Sequence, residues 1–178
     1  MSRPRSDTRQ RIQEVARDLF ARQGVQRTSL QDIADELGIT KPALYYHFNS
    51  REDLVRSILV PLIEEGERFV VDQENLGKID VRELLEGYFD FHYRHRQDLM
   101  LVLAELTMLA DLGLVDTVLG WRERLGRLVF GPKPTLAQAT RAVVAFGGLQ
   151  DCCMQFPDTP YKKLRAKSIE AALAALGV

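Results

Sequence analysis

The side chains best suited to chemistry in this chain are hydrogen-bond donors gathered between positions 29 and 51. They carry hydroxyl, ammonium, imidazole or guanidinium groups that suit phosphate oxygens, and they are Ser29, Thr40, Lys41, Tyr45, Tyr46, His47 and Arg51. Pro42 and Ala43 stand among these donors and are small, so a helix bearing them can approach base edges and touch a thymine methyl group. We therefore predict that all these residues contact double-stranded DNA.

Two short helices joined by a glycine turn are predicted to position these donors. Ser29 can cap the first helix, and Asp32 three residues later completes a capping box. Gly38 ends that helix, because it supplies the left-handed backbone of a sharp turn. Thr40 caps the second helix, which we expect to run to about Asn49. The pair is typical of a helix-turn-helix.

Helical spacing assigns the faces of the second helix. Leu44 and Phe48 are four residues apart and are expected to face the core, which leaves Tyr46 on the opposite face. Ser50 can cap a further helix, whose free N–H groups and Arg51 would form a phosphate site.

The N-terminal third of the chain resembles a known family. The matching residues are Ile12, Ala16, Leu19, Phe20, Gly24, Thr28-Ser29, Ile33-Ala34, Gly38, Thr40-Lys41, Leu44 to Phe48 and Arg51 to Leu54. This pattern, over roughly residues 9 to 56, is similar to the N-terminal domain of TetR-type transcriptional regulators. Pro42 departs from a frequent Gly, and Arg51 from the usual Lys. The resemblance implies a DNA-binding regulator whose remaining helices bind a ligand and form a dimer.

The chain is predicted to be all-α, with about nine helices. An apolar stripe on the first helix should complete a three-helix domain, and its members are Ile12, Val15, Ala16, Leu19 and Phe20. We assign residues 1–54 to the helix-turn-helix DNA-binding domain and residues 55–178 to a helical ligand-binding and dimerisation domain. The later helices are expected at about 80–96, 98–111, 115–130, 135–155 and 159–176.

Pro61 lies within the predicted fourth helix, which begins at Ser50. Its ring removes one backbone hydrogen bond and clashes with the carbonyl of Ser57, so a kink or break is expected near residues 57–61. Two interpretations stay open: a static bend, or a joint that transmits ligand binding.

Small residues mark the last two helices as a dimer interface. They include Ala139, Ala142, Ala145, Gly147, Gly148 and the Ala-rich segment 171–176. Small residues let helices approach closely, and an exposed stripe of Ala and Leu at the end of the chain needs a partner. In TetR-type proteins the last two long helices of each subunit form a four-helix interface. A two-fold homodimer would place two recognition helices about 34 Å apart, so the operator should be palindromic.

Tyr88, His92, Trp121 and Phe146 are the candidate ligand-binding residues, since the middle helices should carry them towards one space. An apolar cavity with a few polar groups suits a small organic ligand. The alternative is that these side chains fill a core.

Catalysis and metal binding are not predicted. His92, His95 and Asp98 have types that suit Zn, but Asp98 is expected to start the next helix and a fourth ligand is not evident. The sequence contains neither a glycine-rich phosphate loop nor Ser, His and Asp residues at the spacing of a known catalytic triad. We therefore expect no enzyme activity, no cofactor and no metal site.

The charge is uneven, because residues 1–56 hold ten Arg and Lys against eight Asp and Glu in a chain of net charge −1. Arg3 and Arg5 belong to an N-terminal arm that either reaches DNA or stays a solvated tail. The chain has no run of about 18 or more apolar residues, and its N-terminus is too polar for a signal peptide. We expect a cytoplasmic protein without membrane contact.

The function predicted from these features is a dimeric transcriptional regulator, a repressor released from a palindromic operator by a small molecule. The alternative is a regulator of the same fold without such a ligand, controlled by a protein partner or by its abundance.

Overall fold

The computed structural model describes residues 5–178, apart from the side chains at positions 5, 6 and 103. Within these residues the chain forms ten α-helices, one 3-10 turn (Val25–Arg27) and no strand, which confirms the all-α prediction. The helices are α1 (Arg5–Gln23), α2 (Leu30–Leu37), α3 (Lys41–Tyr45), α4 (Arg51–Glu74), α5 (Val81–Arg94), α6 (Arg96–Ala104), α7 (Leu106–Asp111), α8 (Val115–Phe130), α9 (Leu136–Gln155) and α10 (Tyr161–Leu176). The side chains of Arg3 and Arg5, which form the predicted arm, lie outside the described residues.

The described chain has one α-helix more than the sequence predicts, because the segment expected as one helix at 98–111 is divided. Glu105 separates α6 from α7, although its amide still donates to the carbonyl of Leu101 at 3.0 Å. Neither Gly nor Pro stands at this point, so the sequence gives no local signal for the division.

The helices belong to two units. Unit 1 comprises Met1–Leu62 and Gln97–Leu109, and unit 2 comprises Ile63–Arg96 and Ala110–Val178. The division therefore falls inside α4, between Leu62 and Ile63, one residue past Pro61. The functional assignment to residues 1–54 and 55–178 stays a prediction.

Unit 1 is built around the apolar stripe of α1. Ile12 and Ala16 are fully buried, as are Ile33 of α2 and Leu44 of α3. Asp98 at the start of α6 accepts a hydrogen bond from Arg17 Nε at 2.6 Å, which ties the second segment of this unit to α1. The three-helix arrangement of α1, α2 and α3 is as the sequence predicts.

Helix α4 runs through Pro61 without the predicted break. Proline has no N–H, so the carbonyl of Ser57 lacks its helical donor. The side-chain amide of Gln13 on α1 replaces that donor, with Nε2 lying 3.2 Å from the Ser57 carbonyl oxygen and 2.9 Å from its hydroxyl. A tertiary hydrogen bond thus compensates for the proline.

Unit 2 packs α5, α8, α9 and α10 around a core that contains Leu85, Phe89, Leu125 and Phe146, all fully buried. Small residues allow α8 and α9 to lie close together, since a Cβ added at Gly126 would be 2.9 Å from the Cβ of Ala142.

Some of the small residues that we predict for the dimer interface pack against neighbours in unit 2. Ala142, Ala145 and Gly147 are buried within this unit, because α9 needs them to pack against its own neighbours.

Candidate nucleic-acid interface

The caps of α2 and α3 have the geometry that the sequence predicts. The Ser29 hydroxyl accepts from the Asp32 amide at 3.1 Å, and the Asp32 carboxylate accepts from the Ser29 amide at 2.8 Å. Gly38 ends α2 with a φ of 64°, a left-handed conformation that favours glycine. The Thr40 hydroxyl then accepts from the Ala43 amide at 3.3 Å and starts α3.

The exposed face of α3 carries most of the predicted DNA-contacting residues. Leu44 and Phe48 are fully buried and anchor the helix, whereas Tyr46 is 64% exposed and Tyr45 is 42% exposed. Thr40, Lys41, Pro42 and Ala43 are also exposed, and His47 is half-buried. The face is small at its start and aromatic at its end.

Helix α3 is shorter than the predicted Thr40–Asn49. It ends at Tyr45, and the next residues form a turn in which the amides of His47 and Phe48 both donate to the carbonyl of Leu44, at 2.9 and 3.1 Å. The turn delivers Phe48 to the core and leaves Ser50 free to cap α4, since the Ser50 hydroxyl accepts from the Asp53 amide at 3.0 Å.

A groove of about 310 Å³ lies where the N-termini of α2 and α4 approach α3. Its lining includes Ser29, Lys41, Tyr45, Ser50 and Arg51. Free N–H groups at helix N-termini favour anions, so the groove has the chemistry of a phosphate site.

Arg51 is already engaged within unit 1. Its guanidinium donates to the carbonyl of Gln26 at 3.2 Å, to the side chain of Gln26 at 3.1 Å and to Glu52 at 3.3 Å. It thereby holds the 3-10 turn against the start of α4. A phosphate contact by Arg51 would use the donors that these bonds leave over.

Two carboxylates already use the helix N-termini beside this groove. Hydrogen bonds from the backbone and side chain of Ser29 lower the pKa of Asp32, and backbone and Ser50 hydrogen bonds lower the pKa of Glu52. Both groups stay ionised near neutral pH. Glu52 is exposed and would lie close to a phosphate bound in the groove, so it opposes that binding.

Arg9 on α1 is a further candidate that the sequence identifies only as part of a basic segment. Its guanidinium donates to the carbonyl of His47 at 3.1 Å and lies 4.3 Å from the centre of the Phe48 ring. Arg9 therefore adds positive charge to the end of α3 while fixing the turn that follows it. No spacing rule connects positions 9 and 47, so only the fold could reveal this pair.

The four predicted ligand-binding residues come together in the interior of unit 2. Tyr88 and His92 have ring centres 4.1 Å apart, Tyr88 and Phe146 5.1 Å apart, and Trp121 reaches the group through Phe91. All four side chains are at most 5% exposed. Burial raises the pKa of Tyr88 to about 12 and lowers that of His92 to about 4, so both are neutral at pH 7.

Metal-binding clusters and membrane-spanning helices are both absent from the described residues. In that part of the chain no group of three or more His, Cys, Asp or Glu side chains is arranged to hold a metal ion. Over the same residues no helix is both long enough and apolar enough to cross a membrane.

Comparison with known proteins identifies relatives of the N-terminal region. A family model described as bacterial regulatory proteins, tetR family, matches residues 12–58. The HTH-type transcriptional regulator TtgR of Pseudomonas putida is 36% identical over 88 residues, which are 47% of this chain and 42% of that protein. The HTH-type transcriptional repressor KstR2 of Rhodococcus jostii is 38% identical over 61 residues, which are 34% of this chain and 30% of that protein. The chain thus spans less than half the length of these relatives.

The fold likeness extends over nearly the whole chain. A TetR-like transcriptional regulator from Rhodococcus sp. RHA1 superposes with a TM-score of 0.75 and 20% identity, covering 99% of each chain. Identity this low shows a shared fold alone.

Proposed function

We propose that the protein is a DNA-binding transcriptional regulator, since its residues 12–58 match the model of the tetR family of bacterial regulatory proteins and its N-terminal region resembles HTH-type regulators. The observation that carries the proposal is the α3 face, where exposed Thr40, Lys41, Tyr45 and Tyr46 flank Pro42 and Ala43. The small residues let α3 enter a major groove, and the donors hold phosphates on either side. Ser29, His47 and Arg51 complete the proposed contact set, and Arg9 joins it.

We propose that the regulator is a homodimer acting in the cytoplasm on a palindromic operator. Exposed apolar side chains on α9 support the dimer, since Leu136 is 85% exposed, Val143 52% and Val144 57%. A second copy of this helix would remove them from water. The two-fold axis would then give the operator its inverted repeat.

We further propose that it represses transcription and that a small organic ligand bound in unit 2 releases it from DNA. For release, the ligand must bind the DNA-free form more tightly than the DNA-bound form. Tyr88, His92, Trp121 and Phe146 are the proposed ligand-binding residues. The protein has no enzymatic role in this proposal.

The packing inside unit 2 favours a second candidate, a DNA-binding regulator without a small-molecule ligand. Tyr88, Trp121 and Phe146 are buried and packed by aromatic contacts, as in a filled core. A regulator with a filled core would be controlled by a protein partner or by its own abundance. Thermal shift with a metabolite library separates the candidates, because only the first predicts a ligand that raises the melting temperature.

Selection of duplexes from a randomised DNA library by the full-length protein tests the main proposal. We expect an inverted repeat whose half-site centres are separated by about one helical turn or a multiple of it. An enriched site without two-fold symmetry would contradict the dimer, and no enrichment would contradict sequence-specific binding. A promoter fused to the selected site reports the sign of regulation.

Two substitutions on α3 test the assigned face. Tyr46→Ala should weaken operator binding by roughly five- to tenfold, because it removes a phosphate donor worth about 1 kcal/mol. Lys41→Ala should reduce the slope of log affinity against log salt by about one, whereas Lys133→Ala, an exposed lysine of unit 2, should leave it unchanged. Unchanged affinity of both α3 variants would show that another face meets DNA.

A further inference from the structure

Arg122 of α8 places its guanidinium against α9 inside unit 2. Its Nη2 donates to Oε1 of Gln150 at 2.7 Å. Gly147 makes room for the group, since a Cβ at this position would be 3.2 Å from Nη1 of Arg122. The guanidinium is therefore held at the α8–α9 contact.

The partners of Arg122 are neutral, unlike those of two other arginines in unit 2. Arg124 donates to the carboxylates of Glu67 and Glu74 at 2.6–2.9 Å. Arg165 donates to Glu86 and Asp90 at 2.8–3.2 Å. Among residues 7–178, no carboxylate forms an ion pair with Arg122 within 4.0 Å.

The positive charge of Arg122 acts on the aromatic cluster described above. Burial is the main cause of both pKa shifts; the charge of Arg122 acts against it by lowering the pKa of Tyr88, and acts with it by lowering the pKa of His92. Arg122 is half-buried, so water screens its charge only in part. Beside buried, neutral aromatic groups its guanidinium attracts an anion more strongly than one fully in water. The counter-charge that such a site lacks is a carboxylate.

We propose that Arg122 binds the carboxylate of an organic acid whose apolar body lies against Tyr88 and Phe146. This inference rests on the proposed ligand-responsive function and defines its ligand class. The planar guanidinium can hold a carboxylate with two parallel hydrogen bonds. The hydroxyl of Tyr88 supplies a further donor, and Gln150 gives up its bond to Arg122 when the acid enters. Neutral analogues lack the charge and bind weakly.

Calorimetric titration of the full-length protein with matched acid and amide pairs tests the proposal. The probes are benzoate with benzamide and octanoate with octanamide. We expect one of the two acids to bind at least tenfold more tightly than its amide. Binding of neither acid, or equal binding of acid and amide, would overturn the proposal, and this comparison needs no variant.

Variants of α8 then locate the site. Arg122→Met should weaken binding of the acid at least tenfold, and Arg122→Lys should recover part of it, since an ammonium keeps the charge without the planar fork. Arg127→Met is the control, because Arg127 is an exposed arginine on the same helix, and it should bind like the parent protein. Equal affinity in the Arg122→Met and Arg127→Met proteins would place the acid elsewhere. Should Arg122→Met fail to fold, Arg122→Gln, which keeps polar atoms but removes the charge, should weaken binding by a similar factor.

Release from DNA separates this inference from the function on which it rests. The acid that binds should lower affinity for the selected operator in the parent protein, and the Arg122→Lys protein should need more of it. A protein that binds its operator specifically but neither acid overturns the inference alone. A protein that binds an acid through Arg122 but no DNA sequence overturns the regulatory function alone.

Discussion

Lowering the pH should destabilise unit 2 through His92. The imidazole is 2% exposed, and its Nδ1 lies 2.9 Å from the carbonyl oxygen of Tyr88. A carbonyl only accepts, so Nδ1 carries the proton of the neutral ring. Burial lowers the pKa of His92 to about 4, from 6.5 in the unfolded chain, and the nearby charge of Arg122 acts in the same direction. Folding therefore requires the neutral imidazole.

The change in the free energy of unfolding with pH is set by the difference in proton binding between the unfolded and the folded chain. Between pH 6.5 and about 4 the unfolded chain binds a proton that the folded chain excludes, so stability falls as the pH falls through this window. Above pH 6.5 the imidazole is mostly neutral in both states, so this loss of stability is nearly absent. From pH 7.5 to pH 5 the shift corresponds to a loss of about 2 kcal/mol in the free energy of unfolding.

Urea unfolding followed by tryptophan fluorescence can measure this loss, because Trp121 is the single tryptophan of the chain and lies in unit 2. His92→Gln is the matched variant, since its amide keeps a donor for the Tyr88 carbonyl but does not titrate. The parent should lose about 2 kcal/mol more than the variant between pH 7.5 and pH 5. Parallel pH dependence in the two proteins would refute the assignment to His92.

Three further substitutions, with Gly120→Ala as a control for the first, test the packing and charges described above. Gly66→Ala should cost about 1–3 kcal/mol in urea unfolding, because its Cβ would overlap the Trp121 ring, whereas Gly120→Ala, whose Cβ meets no atom within 4 Å, should stabilise its helix. Gln13→Ala should cost about 1 kcal/mol and lower the melting temperature, since it removes the donor to the Ser57 carbonyl; an unchanged value would show that water replaces it. Glu52→Gln should strengthen operator binding two- to fivefold at low salt and less at high salt, as a carboxylate beside a phosphate repels it. Gel-shift titrations of the parent and the Glu52→Gln protein at two salt concentrations measure this effect. Equal operator affinity of the two proteins at low salt would contradict it.

Local signals explain why the caps of unit 1 could be predicted. Ser29 with Asp32, Gly38 and Thr40 each satisfy or end their own helix within a few residues, so the sequence contains the whole interaction. The α1 stripe is equally local, since helical spacing alone brings Ile12 and Ala16 to one face.

Tertiary contacts account for the features that the sequence could not predict. The Ser57 carbonyl, which has no helical donor because of Pro61, accepts from Gln13, which lies 44 positions before it. The end of α3 depends on the burial of Phe48 and on Arg9, which binds the turn from another helix. Neither contact has a signal in the spacing of nearby residues.

The candidate ligand site of unit 2 also depends on tertiary contacts that local spacing does not predict. Aromatic residue types predicted that Tyr88 and Phe146 would meet, but spacing does not distinguish a pocket from a filled core. At the α8–α9 contact the charged Arg122 has a neutral partner, Gln150, which lies 28 positions away. No spacing rule connects these two positions.

Arg51 has a consequence for the thermodynamics of association. The lysine that is usual in TetR-type domains would bring one compact ammonium, whereas the fork of Arg51 reaches the backbone and the side chain of Gln26 at once. These bonds tie the connection between α1 and α2 to the start of α4 before any partner binds. Ordering a side chain on binding costs about 0.5–1.5 kcal/mol, and this domain has met part of that cost during folding. Operator binding should accordingly show a smaller entropic penalty, with the difference appearing as slower dissociation.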